Sequence, residues 1–233
     1  AWQRGVEVVT AALCAAVVAG FHADDPPRRP WITLLVAMAL IPLIRLSAWL
    51  GWRVADVQAY KLLLIVGNVF LAGTIIGFGR VLGSSELLSE RTGAARLRAA
   101  LVVGSLALCA LAFIGVSVWE LAQRGTPSTP DEWAGAVSNA VSTLSDAIVF
   151  AGGLYLVWLL QPLVGGSIAR PYLLMAVGGA AFLVVDIALV AAGQTAQTDL
   201  TDHTIKLIGT LAYSSFAAAA LIQAALLRSG RSR

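Results

Sequence analysis

Long apolar blocks separated by short charged loops constrain this chain more than any other feature of its sequence. The blocks run to roughly 18 to 25 residues, the length a helix rising 1.5 Å per residue needs to cross about 30 Å of hydrocarbon. A membrane β-barrel strand would alternate apolar and polar residues, whereas Leu101 to Val118 is apolar on every face. The pattern predicts an all-α, polytopic transmembrane helical bundle of about seven spans, forming one domain over residues 1–233. Spans are expected at about Gly5 to Phe21, Trp31 to Leu50, Val57 to Gly79, Leu97 to Leu121, Asp131 to Leu160, Pro171 to Ala192 and Thr201 to Leu227. With 58% hydrophobic and 12% charged residues, the chain has too few charges to build a water-facing surface.

Helix punctuation supports these boundaries. Thr129-Pro130-Asp131-Glu132 offers an N-cap, a proline at the first helical position and acids against the positive end of the helix dipole. Pro171 opens the next span similarly, and Gly165-Gly166 closes the one before it. The first apolar run is read as a retained helix, because no clean small-x-small cleavage site follows it as in a signal peptide. Between the third and fourth spans, Ser84 to Arg91 is expected to extend a helix at the cytoplasmic face.

Orientation follows from the positive-inside bias of short loops. One side holds Arg28, Arg29, Arg80, Arg91, Arg96, Arg98, Arg170, Arg228, Arg231 and Arg233. The other holds only Arg4, Arg45, Arg53, Lys61, Arg124 and Lys206, in company with Asp56, Asp131, Glu132, Asp199 and Asp202. The N-terminus is therefore expected outside and the C-terminus in the cytoplasm, as in a multi-pass protein of a bacterial inner (plasma) membrane. Trp2, Trp31, Trp49, Trp52, Trp119, Trp133 and Trp158 all fall near predicted span ends, the headgroup level that indoles prefer. The net charge of +3 is thus a topology signal, and no nucleic-acid partner is expected.

Polar groups inside hydrocarbon cost roughly 2.5 to 3.5 kcal/mol for a central charge, so each needs a reason. Asn139, Ser142, Thr143 and Asp146 recur at helical spacing and share one face of the span Asp131 to Leu160. Asp186, Arg45 and Asn68 are the expected companions, with Arg45 paired to Asp186 or Asp146. Together these seven residues form the candidate intramembrane polar site. Gly73-x-x-x-Gly77 and Gly178-Gly179 are expected to allow close helix packing, inside the bundle or in a homo-oligomer.

No reactive constellation emerges. Cys14 and Cys109 lie in apolar runs without a C-x-x-C and are read as small buried hydrophobes. The two histidines, His22 and His203, belong to opposite ends of the bundle and cannot share a metal or haem. G-x-S-x-G, H-E-x-x-H and P-loop motifs are absent. Asp202 and Lys206 have the spacing of the retinal lysine in microbial rhodopsins, but the third and sixth spans lack that family's Arg/Asp and Trp/Tyr/Pro patterns. Lys206 is instead expected to snorkel towards Asp202 at the outer interface. No cofactor, metal or catalytic residue is expected.

The first functional expectation is a non-enzymatic sensory or signal-transmitting membrane domain, its basic end leading into a cytoplasmic effector after Arg233. Two alternatives stand beside it. One is a small-solute or ion transporter or channel using a polar path around Asp146, Asp186 and Arg45. The other is an accessory subunit that meets other membrane subunits in the lipid bilayer.

Overall fold

The computed structural model describes residues 2–83, 115, 125–160, 167–192 and 199–231. Within them the chain forms six α-helices: α1 Trp2–Gly20, α2 Arg28–Leu50, α3 Ala59–Gly83, α4 Pro130–Leu159, α5 Arg170–Ala192 and α6 Asp199–Arg231. Each of these matches a predicted span to within a few residues at either end. The predicted span Leu97 to Leu121, the Ser84 to Arg91 extension, Cys109, Trp119 and Gly165-Gly166 lie outside the described residues. The helices Arg28–Leu50, Ala59–Leu82, Pro130–Leu159 and His203–Ser229 are long and apolar enough to cross a membrane.

Local sequence explains where the helices begin and end. Thr129 caps α4 by accepting the Glu132 backbone N–H at 3.2 Å, while the Glu132 carboxylate returns to the Thr129 N–H at 3.3 Å, a reciprocal capping box with Pro130 at the first position. Gly51 ends α2 in a left-handed conformation, φ +63°, from which its N–H reaches back to the Ala48 carbonyl. The third span was expected to start at Val57, but Val57–Gln58 instead pairs antiparallel with Arg53–Val54 as strands β2 and β1. Asp131 takes the Gln58 N–H at 2.8 Å and the Lys61 ammonium at 2.7 Å, which docks the hairpin on the start of α4 and delays α3 to Ala59. The described elements are otherwise helical, as expected, and this two-stranded ribbon is a local addition.

Each helix packs against the next in chain order, and α6 closes back on α1, so the six form a ring. The hairpin and the start of α4 share one end of it. Gly20 of α1 lies against Leu227 of α6 at the other end, where Arg28, Arg80, Arg170 and Arg228 also fall. Large apolar side chains are exposed on all six helices, among them Val8, Leu43, Ile76, Leu154, Val177 and Leu211. Apolar surface on every helix suits a lipid surrounding rather than water.

Glycines set the tightest contact. A Cβ on Gly179 would stand 2.6 Å from the Phe150 backbone N, and one on Gly153 2.8 Å from the Ala176 Cα, so α4 and α5 touch backbone to backbone. Gly178 admits the Phe216 ring and Gly77 admits Pro30, as close packing requires. A Cβ on Gly73 would meet nothing within 4 Å among the described residues, so of its two expected roles no packing contact within the ring is seen there. The arginine half of the ring is filled by apolar side chains, with Phe78 edge-on to both Trp31, at 5.7 Å, and Tyr172, at 5.1 Å. Trp31, expected at the headgroup level, is 1% exposed and belongs to this core. It sits one turn inside α2, where the face towards α3 is enclosed. Cys14 is buried there as the small hydrophobe it was read to be.

Candidate functional site

A cavity of about 250 Å³ occupies the hairpin half of the ring. Its polar lining is Asn68 of α3, Ser142 and Asp146 of α4, Asp186 of α5, and Lys206 and Tyr213 of α6. Met38, Ile41, Leu64, Phe182 and Val185 supply apolar wall between them. Except for Lys206, which lies near the start of α6, these polar groups come from well inside their helices, which the ring brings together at one level. On the opposite side, the Trp31, Phe78 and Tyr172 cluster packs the interior. The cavity thus stands beside a filled apolar core.

Asp146 and Asp186 form its acidic centre. Asp146 is 4% exposed and lies within hydrogen-bonding reach of Asp186. A hydrogen bond between two carboxyl groups needs one proton between them, because carboxylate oxygens only accept. Asp186 also contacts Ser142, and the Thr143 hydroxyl stands 2.5 Å from its Oδ2. That hydroxyl lies 3.3 Å from the Asn139 carbonyl as well. Its single proton can go to either acceptor, so Thr143 can donate to an ionised Asp186 or accept from a protonated one while donating to Asn139.

Around this centre the helices are held by shorter polar links. Ser145 donates to the Asn68 carbonyl at 2.9 Å and ties α4 to α3, while the Asn68 amide turns back to the Leu64 carbonyl at 3.0 Å. Thr10 donates to the Val6 carbonyl of its own helix at 2.7 Å, with the Tyr213 carbonyl of α6 a second acceptor at 3.2 Å. Pro42, inside α2, has no N–H to give the Met38 carbonyl, leaving a backbone acceptor in a residue of the cavity wall.

No protein-family model, curated protein or solved structure matches the chain.

The structure gathers some of the expected site residues and separates others. Asn68, Ser142, Asp146 and Asp186 face one cavity, and Thr143 supports Asp186 from behind. Asn139 lends its carbonyl to Thr143, but its side chain is exposed rather than turned to the cavity. Arg45 does not pair with Asp186 or Asp146. Its Nε donates to Glu7 Oε2 at 2.7 Å and its Nη2 to Glu7 Oε1, a two-point ion pair between α2 and α1. Glu7 was missed in the sequence, although a lone acid in an apolar run was the available signal. Tyr213 stands close enough to Glu7, Arg45 and Asp146 to sense all three charges, and so connects this pair to the acidic centre. Lys206, read as an interface lysine, lines the cavity. Its position is set by how α6 leans on α5, which the linear spacing does not reveal.

Proposed function

We propose that this chain is a polytopic membrane domain that receives a small solute in the cavity from the hairpin end and transmits its presence as a signal, without catalysing a reaction. The observation that carries this reading is the uneven interior of the ring. Two carboxyl groups, a lysine, an amide and two hydroxyls converge in one half of the ring, and close-packed aromatic side chains fill the other half. A permanently open channel would need a polar path through both halves. A binding site open to one side of the membrane needs only the first.

Helix directions support seven crossings. Both α3 and α4 start at the hairpin end, and the apolar stretch read between them at Leu97 to Leu121 has the length of a further span. With the arginine end in the cytoplasm by the positive-inside bias, the hairpin end and the cavity face outward. An effector domain following Arg233 would then receive the signal. A transporter is the second reading, favoured by the carboxyl pair, whose shared proton suits coupled movement of a solute.

Cysteine labelling tests the cavity. In sealed right-side-out vesicles, Ser142→Cys is expected to react with a charged, membrane-impermeant thiol reagent beyond the background of Cys14 and Cys109. An unreactive Cys at 142 from both sides of the membrane would contradict a solute-accessible cavity, and reaction only from the cytoplasmic side would reverse the orientation.

A further inference from the structure

The charges and the hydroxyl wiring of the cavity define which solute suits it. We propose that the site exchanges a proton for a small organic cation: an alkylammonium head seats between Asp146 and Asp186 while the proton those two carboxyls share departs to water. The inference rests on the solute-binding reading above and names its ligand class.

Charge conservation inside the ring carries the argument. With one proton shared between Asp146 and Asp186 the pair carries a single negative charge, and with Lys206 as an ammonium the proposed resting lining is neutral. Bringing in an ammonium without losing a proton would leave net positive charge in a low-dielectric enclosure, which is costly. Bringing it in as a proton leaves keeps the total unchanged. In atoms, R–NH3+ enters, H+ leaves the carboxyl pair, and no covalent bond to carbon or nitrogen forms or breaks.

The neighbours are arranged for both protonation states. Asp146 on α4 faces Asp186 from α5, Lys206 and Tyr213 from α6, and Asn68 from α3. Glu7 of α1 and Arg45 of α2 neutralise one another beyond Tyr213, so they add little net field. Thr143 accommodates the departure of the proton by turning its hydroxyl from the Asn139 carbonyl to Asp186. Ile41, Leu64 and Val185 offer an apolar wall for a short alkyl chain. A cavity of about 250 Å³ has room for a small cation with a short alkyl chain.

The test uses the full chain in detergent at neutral pH with three probes of one skeleton, butylammonium chloride, sodium butyrate and 1-butanol. Thermal unfolding and a pH indicator in weak buffer are read together. Butylammonium alone is expected to raise the unfolding midpoint and to release about one proton per molecule bound. In Asp186→Asn the release is expected to vanish and the butylammonium affinity to fall about tenfold or more; Asp146→Asn is the second variant should the first fail to fold, and the wild-type release needs no variant. Stabilisation by butyrate or butanol instead, binding of butylammonium without proton release, or no response to any probe overturns the proposal. If Ser142→Cys is labelled as expected, such a result removes only the ligand class. If it is not, the cavity reading itself fails.

Discussion

The Arg45 guanidinium grips the Glu7 carboxylate through both Nε and Nη2, joining the second helix of the chain to the first. The two ends of this pair are unequal. Glu7 is 2% exposed and the Arg45 side chain 41%, so the carboxylate depends on the arginine far more than the reverse.

Removing the arginine alone therefore strands a buried charge. Arg45→Ala is expected to destabilise the protein by about 3 kcal/mol, and Arg45→Met/Glu7→Gln to recover most of that loss. Urea unfolding of the two variants in mixed micelles checks the asymmetry. Equal stability of the single and double variants would show that Glu7 does not rely on Arg45.

Helix spacing between α4 and α5 depends on the glycines at their crossing. Gly179→Ala places a methyl group against the Phe150 backbone and is expected to cost at least about 2 kcal/mol, as overpacking does. Gly73→Ala meets no described residue within 4 Å and is expected to be neutral or stabilising by up to about 1 kcal/mol through helix propensity. Thermal midpoints of the two variants measured side by side test whether the contact is structural.

At the start of α4, Thr129→Ala removes the capping acceptor and is expected to cost about 1 kcal/mol. The loss is local to the first turn. Hydrogen exchange at the Glu132 amide should accelerate while amides in the middle of α4 keep their protection; unchanged exchange at Glu132 would remove the cap as a stabilising element.

Tryptophan depth distinguishes headgroup residues from core ones. Trp49 is 80% exposed, Trp52 53% and Trp133 50%, all at the hairpin end, whereas Trp31 is 1% exposed. In single-tryptophan variants reconstituted with lipids brominated near the headgroup, the first three are expected to be quenched and Trp31 to be protected. Strong quenching of Trp31 would contradict its place in the core.

What could be read from residues alone followed from local physics. Apolar length matched to hydrocarbon thickness located the six described helices. The Thr129-Pro130-Asp131-Glu132 string located the start of α4 to within a residue, because a capping box is complete within four residues. The stripe of Ser142 and Asp146 was visible because helical periodicity is a property of one segment.

Partnerships across helices were not visible in that way. Nothing in the order of charges pairs Arg45 with Glu7 rather than with Asp186, and only the packing of α1 on α2 brings the two together. Lys206 and Tyr213 reach the cavity because α6 leans on α5 at glycine contacts whose depth no periodicity encodes. Trp31 looks like an interface residue in sequence and is enclosed because Phe78 and Tyr172 come from helices far along the chain. Span length and capping are decided by the chain's contact with solvent and with itself over a few turns, so the amino-acid order settles them. Which charges meet depends on the rotation and tilt of whole helices, so that was decided only when the ring closed.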